Sequence, residues 1–307
     1  MIAVCSRSFS RNLELREAIL QRYDRVKFND QGLVLEGQCL VEFLSGCERA
    51  IVGLERINGN ILKNLPQLQV ISKYGVGLDT IDLESLSTHN IRLGWKGGVN
   101  RRSVSELTIA FMIMMLRHLP LANSAVRNGK WRQFIGGSLT GKTVGIIGCG
   151  HVGKDLVHLL GPYECNILVY DIVEYTDFYA SHNIRAVDLD TLLGDSDIVT
   201  LHIPLHDSTR EILDAKKLNM MKAGCILINT ARGELVDERT LKTLLQKDVI
   251  AGAAFDVFSN EPPDDLELLG LPNFFATPHL GGSSREAIIA MGFSAIEGLE
   301  INSVQQN

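Results

Sequence analysis

Thr143-Val-Gly-Ile-Ile-Gly-Cys-Gly-His-Val-Gly153, running on through Lys154 to Leu160 and then Asn166-Ile-Leu-Val-Tyr-Asp171, decides the fold of this chain. The run Thr143 to Ile147 is apolar and β-branched, as a strand covered on both faces requires. Gly148-Cys149-Gly150-His151-Val152-Gly153 then fits GxGxxG, and a helix-forming segment follows. In such a loop Gly148 allows a tight turn, Gly150 lets backbone amides approach a pyrophosphate, and Gly153 lets helix and strand pack closely. The N-terminus of the following helix offers unpaired N–H groups and its positive dipole end to the anion. Asp171 closes the next strand, close to the about 20 residues at which an acid meets the adenosine ribose hydroxyls. No Arg or Lys occurs from Ile172 to Ala180 to receive a 2′-phosphate, so the expected cofactor is NAD rather than NADP. A glycine-rich turn whose strand-end Asp merely caps a loop explains each part singly, but not strand, loop, helix and acid together.

Working outward, DIVTLHIP, GCILIN and VIAGAAFDV continue the pattern of buried strands divided by helical or loop segments. Before residue 100, Ile2 to Cys5, Ala50 to Gly53 and Val70 to Ser72 alternate with helical stretches near Leu13 to Tyr23 and near Ile61. Strands alternating with helix-length spacers imply βαβ units and a parallel sheet. The expected fold is therefore α/β, with two Rossmann or flavodoxin-like, doubly wound parallel-sheet domains and a cleft between them. Residues 1–98 with 284–307 are expected to bind substrate, and residues 99–283 to bind NAD. Ser103 and Glu106 read as a capping box before LTIAFMIMML, which predicts a long buried helix starting near Ser103 and bridging the two units. Apolar positions from Ser283 to about Asn302 recur at helical spacing, and this last helix is expected to return to the N-terminal unit.

Composition narrows the function. The 307 residues are 45% hydrophobic and 21% charged, the profile of a folded domain protein rather than a disordered chain. A formal charge of -6 argues against nucleic acid as a partner. The longest uncharged apolar stretch, Leu107 to Leu116, falls far short of the about 18 residues a membrane span needs. Six scattered cysteines without a CxxC pair give neither a zinc spacing nor a disulfide framework, so no metal site is expected. With no secretory signal at the N-terminus, a reducing cytoplasmic location and a small-molecule partner are the expectation.

Three polar residues follow strand-like segments of the second unit, where ligands of open α/β sheets bind. Arg232 lies in NTARG, Glu261 in DVFSNEPP and His279 in TPHLGG. A guanidinium suits bidentate capture of a carboxylate, and an imidazole suits proton exchange with a hydroxyl at neutral pH. A carboxylate beside that imidazole would fix its orientation and stabilise the imidazolium. Taken one at a time, His279 also reads as a structural residue and Glu261 as a solvated loop acid.

Together with KYGVGLDTIDL, GGVNRRSVSELT, LHIPLHDSTR and LINTARGELVDE, these blocks make nearly the whole chain resemble the D-isomer-specific 2-hydroxyacid dehydrogenase family, and most of all its phosphoglycerate-oxidising branch. The resemblance implies an NAD-dependent enzyme that interconverts a small anionic D-2-hydroxy acid and its 2-oxo acid. It implies Arg232 as carboxylate binder, His279 as general acid/base and Glu261 as the acid paired to the imidazole. His151 and Val152 are implied at the pyrophosphate, Asp171 at the ribose, and Ile203, Thr230 and Asp256 along the NAD pocket, with Asp256 near the carboxamide. Backbone N–H groups of Val76 and Gly77 are implied at the substrate carboxylate, with Asn100 lining the cleft. A phosphorylated substrate needs cations, for which Lys73, Arg56, Arg101 and Arg102 are candidates. Lys73 stands where phosphoglycerate enzymes commonly carry Arg, and an ammonium does not reproduce the Arg fork. Glyoxylate or hydroxypyruvate reduction is the nearest alternative, phosphite or hydroxyphosphonate oxidation a further one, and an NAD-sensing binding protein the reading from another class. The chain stops near Asn307, so no serine-sensing extension is expected. A homodimer formed through the cofactor unit is implied; the Leu107 to Leu116 helix reads equally as part of its surface or as plain core.

Overall fold

In the computed structural model residues 1–304 are described, and they divide into two compact units: Met1–Asn100 with the segment from Ser284, and Arg101–Ser283. The first unit is built on β1 (Ile2–Val4), β2 (Val26–Phe28), β3 (Arg49–Val52), β4 (Val70–Lys73) and β5 (Arg92–Gly94), in the spatial order β2-β1-β3-β4-β5. All the pairings are parallel. Side chains alternate across this sheet as the period of two dictates. Ala3, Cys5, Ala50, Val52 and Ile71 meet one layer with Leu40, Leu44 and Leu62. Ile2, Val4 and Ile51 meet the other, with Phe9, Leu15, Ile19 and Leu299. The helix Leu13–Leu20 is opened by Asn12, whose Oδ1 accepts from Leu15 N at 3.1 Å. The last helix, Arg285–Gly298, is opened by Ser284, whose Oγ accepts from Ala287 N at 3.1 Å, and it packs on Leu13–Leu20, β4 and β5. It is shorter than the Ser283 to Asn302 expected, because the Asn302 side-chain amide caps the Gly298 carbonyl at 3.1 Å and Ile301 has no core to enter.

The second unit carries β6 (Thr143–Ile147), β7 (Asn166–Tyr170), β8 (Arg185–Ala186), β9 (Ile198–Leu201), β10 (Ile226–Asn229), β11 (Gly252–Phe255) and β12 (Phe274–Ala276). Their order is β12-β11-β10-β9-β6-β7-β8, parallel throughout. The strand order therefore reverses between β6 and β9, the switch point at whose carboxyl side such sheets bind ligands.

The long apolar helix starts earlier than expected. It spans Arg101–Leu116, so Ser103 already lies within its first turn and is not the cap; Gly98, at φ +70°, turns the chain just ahead of it. It belongs to the second unit, packed on the helix His151–Leu160 and on β10 and β11, with Phe111, Met112 and Met115 in the core. Among the described residues no single helix is long and apolar enough to cross a membrane.

Candidate functional site

The carboxyl ends of the second unit's strands carry the candidate residues: the glycine loop after β6, Asp171 after β7, Ile203 after β9, Thr230 and Arg232 after β10, Asp256 after β11 and His279 after β12.

Each glycine of the loop has a distinct physical reason. Gly148 sits at φ +99°, and a Cβ there would lie 2.6 Å from the Ile203 side chain. A Cβ on Gly150 would meet nothing within 4 Å, so the space above it is open. One on Gly153 would lie 2.2 Å from the Gly148 carbonyl oxygen, the contact that sets helix against strand. Gly150 caps the helix His151–Leu160 without a side-chain acceptor, so the first amides, including those of exposed His151 and half-buried Val152, have no partner inside the helix. Asp171 braces this loop: Oδ2 accepts from Cys149 N at 2.6 Å and Oδ1 from Val173 N at 2.9 Å. The loop-capping role and a ribose role coexist, since a carboxylate has about four lone-pair sites and two are used. Burial pushes the Cys149 thiol up to about 11, which makes it a packing group. An open loop with unpartnered amides and a strand-end acid fits a dinucleotide.

His279 Nδ1 lies 2.9 Å from Glu261 Oε2 and 3.2 Å from Oε1. A carboxylate only accepts, so Nδ1 carries the hydrogen and Nε2 is left for exchange. Both side chains are partly exposed, 49% and 41%, so the proton has access to a ligand. The backbone of His279 is left-handed, φ 55°, and is held there by Asp256. Asp256 is 1% exposed; its carboxylate accepts from Thr277 Oγ1 at 2.5 Å, Leu280 N at 2.6 Å and Gly281 N at 2.7 Å, and its carbonyl accepts from His279 N at 2.9 Å. One acceptor position on Asp256 is left over.

Arg232 is placed by Asn229, which the sequence reading missed. Buried at the end of β10, Asn229 donates from Nδ2 to the Arg232 carbonyl at 2.8 Å and accepts at Oδ1 from Ala231 N at 3.0 Å. An Asn directly after a strand is the sequence signal of such a turn. Arg232 Nη1 donates to the Ala231 carbonyl at 2.6 Å. Gly233 then lets this turn lie on the Phe258–Ser259 backbone ahead of Glu261: a Cβ would fall 1.9 Å from the Phe258 carbonyl carbon. Glu238, also missed, accepts at Oε1 from Ser259 N at 2.9 Å and Ser259 Oγ at 3.0 Å. Thr230 Oγ1 lies 3.2 Å from Thr108 Oγ1 in the core. His202, beside Ile203, pairs Nε2 with Thr200 Oγ1 at 3.0 Å, and burial pushes its pKa down to about 3.

In the first unit, Lys73 is buried at the end of β4, and its Nζ donates to the Gly53 carbonyl and, at 3.1 Å, to Thr80 Oγ1. Val76 and Gly77 follow in a bend, where Trp95 Nε1 donates to the Val76 carbonyl at 3.0 Å. Asn100 is buried in the turn before Arg101. Arg102 holds the buried Asp155 carboxylate with Nε and Nη2, both at 2.9 Å, an ion pair that ties its helix to His151–Leu160. Arg56 and Arg101 are exposed.

Residues 109–281 match the family described as D-isomer specific 2-hydroxyacid dehydrogenase, NAD binding domain. A D-3-phosphoglycerate dehydrogenase of Archaeoglobus fulgidus is 35% identical over 247 residues, 80% of this chain and 47% of that protein. The chain thus spans about half the length of the phosphoglycerate dehydrogenases it matches. A hydroxypyruvate reductase of Thermotoga maritima is 35% identical over 248 residues, 79% of this chain and 80% of that protein. In fold the chain matches a D-lactate dehydrogenase of Aquifex aeolicus, crystallised with NAD and lactic acid, at a TM-score of 0.85 and 23% identity, over 96% of this chain and 93% of the other.

Proposed function

Because the chain belongs to the D-isomer specific 2-hydroxyacid dehydrogenase family, we propose that it interconverts a small D-2-hydroxy acid and its 2-oxo acid using NAD(H). One observation carries this reading: a carboxylate-paired imidazole, at 2.9 Å, stands on a loop at the same sheet edge as an open glycine loop. NAD, when bound, supplies the two-electron acceptor, and its reduced form the donor. Gly148, Gly150, His151, Val152 and Gly153 would hold its pyrophosphate, Asp171 its ribose, and Ile203, Thr230 and Asp256 its nicotinamide half.

The protein's own part is to bind, orient and move one proton. His279 Nε2 takes the hydroxyl proton during oxidation and returns it to the carbonyl oxygen during reduction. Glu261 keeps the ring in the tautomer that leaves Nε2 open. Arg232 receives the substrate carboxylate; in the first unit, the Val76 and Gly77 amides, Lys73 and Asn100 are the proposed substrate-binding groups.

For the substrate, an anionic acid such as 3-phosphoglycerate is the reading of the motifs. A second reading, reduction of hydroxypyruvate or glyoxylate, is favoured by Lys73 and Arg102: the first holds Gly53 and Thr80, the second holds Asp155, and two of the four candidate phosphate ligands are thereby engaged. We further assign the chain to the cytoplasm, on six cysteines without a disulfide, and to a homodimer. For the dimer surface we propose, beside the partly buried side chains of the Leu107 to Leu116 segment, the stretch after it. The helix Leu119–Arg127 buries no residue, and Trp131 and Ile135 are 92% and 96% exposed.

A spectrophotometric panel of 2-oxo and D-2-hydroxy acids with NAD(H) and NADP(H) tests the proposal. Turnover with NAD(H) in preference to NADP(H) is expected; turnover of none, with NAD binding retained, would overturn the enzymatic reading in favour of an NAD-sensing binding protein.

A further inference from the structure

On the second unit, His158 in the last turn of the helix His151–Leu160 meets His182, the residue that ends the helix Thr176–Ser181. His182 Nε2 lies 3.2 Å from His158 Nδ1. The tautomer of His182 follows from its other nitrogen. Nδ1 lies 2.9 Å from the Phe178 carbonyl oxygen, which accepts only, and 2.9 Å from Ser181 Oγ, whose own hydrogen goes to that carbonyl at 3.0 Å, so Nδ1 carries the hydrogen and Nε2 points its lone pair at His158. Metal-ligating histidines are commonly fixed in just this manner, by donating the far N–H to a backbone carbonyl.

The spacing and the packing suit a shared cation. Two nitrogens at about 2.0–2.1 Å from one ion stand about 2.9 Å apart at a right angle and about 3.4 Å apart in a tetrahedron, and 3.2 Å falls between. Phe178 stacks on the His182 ring at 4.2 Å between centroids and meets the His158 ring edge-on at 5.5 Å, so both imidazoles are oriented before any ligand arrives. Lys154, a nearby cation, is drawn over the Tyr175 ring at 3.3 Å from its centroid.

We propose that His158 and His182 form a two-histidine surface site for a borderline divalent cation such as Cu²⁺, Ni²⁺ or Zn²⁺, which clips the end of one helix to the next. To bind, His158 moves its ring hydrogen from Nδ1 to Nε2, and the ion, about 2.0–2.1 Å from both nitrogens, sits to one side of the line that joins them. Among the described residues no third His, Cys, Asp or Glu joins the pair, so water completes the coordination. The preference follows the general order for nitrogen ligands, Cu²⁺ above Ni²⁺ and Zn²⁺.

Isothermal titration of the untagged full-length chain with CuCl₂, NiCl₂ or ZnCl₂ alone tests this, beside His158→Asn, His182→Asn and, as control, the exposed His89→Asn. One equivalent of ion is expected to bind the parent and His89→Asn alike, and each of the other two variants to weaken it at least about tenfold. Zn²⁺ should also move the ring ¹⁵N resonances of two histidines and raise the thermal midpoint of the parent and His89→Asn but not of the other two variants. Absence of binding, or binding that survives both substitutions in chains that still unfold cooperatively, would overturn the proposal.

Discussion

His279 Nδ1 and Glu261 Oε2 stand 2.9 Å apart, joined across two loops that different strands deliver to one edge of the sheet. The contact depends on a backbone conformation that a non-glycine residue rarely adopts. Holding His279 at φ 55° costs on the order of 1–3 kcal/mol, and three donors to the buried Asp256 carboxylate fix it there. The imidazole is thus oriented from both ends, by Asp256 through the backbone and by Glu261 through the ring.

Gly233→Ala tests the packing of the Arg232 turn on the Phe258–Ser259 backbone. The added Cβ would fall 1.9 Å from the Phe258 carbonyl carbon, so backbone must shift. A loss of about 1–3 kcal/mol is expected in urea unfolding, with a raised KM for the 2-oxo acid. Unchanged stability and KM would show that the close approach is dispensable.

Asp171→Ser removes the acid that braces the Cys149 amide and is assigned to the ribose. Hydrogen bonds to charged groups contribute about 1.5–3 kcal/mol, so the KM for NAD should rise about tenfold or more while use of NADP improves. Steady-state kinetics with both cofactors reads this; equal NAD affinity in the variant would remove Asp171 from the cofactor site.

His202 should make the fold acid-sensitive above the carboxylate range. Burial lowers its folded pKa from 6.5 to about 3, so below 6.5 the unfolded chain takes a proton that the folded chain refuses. That part of the stability is complete above pH 6.5 and is lost as pH falls toward 3. His202→Gln should flatten the stability profile between 6.5 and about 4.5, above the range where carboxylates titrate. Urea midpoints across that window measure it, and parallel profiles for the two proteins would refute it.

Trp131→Glu with Ile135→Glu places charge on two side chains that are more than nine-tenths exposed. Sedimentation should show a dimer for the parent and a monomer for the double variant, since burying unpaired carboxylates at an interface is costly. A parent that sediments as a monomer would exclude the dimer.

Much of this was legible in the residues. β6, β7, β9, β10 and β11 are apolar runs whose burial on both faces leaves one reading, and Gly148 and Gly153 of the loop require what glycine alone gives. β2, β5 and β8 were not legible because they are edge strands of two or three residues, too short to display a period. Ser103 misled because a capping pair one turn inside a helix has the same spacing as one at its start. The ion pair of Arg102 was hidden because its partner, Asp155, lies on another helix and shares no local pattern with it. Asn229, Glu238 and the loop-tying side of Asp256 were hidden for the same reason: their hydrogen bonds go to backbone brought close only by the fold.

Proton exchange at His279 Nε2 is tested most directly by His279→Ala, measuring kcat on the substrate found in the panel and, on the same preparation, the Kd for NADH from fluorescence. We expect kcat to fall by about 10² to 10⁴ with the Kd for NADH within about twofold of the parent. Turnover at the parent rate with NADH still bound would contradict the account.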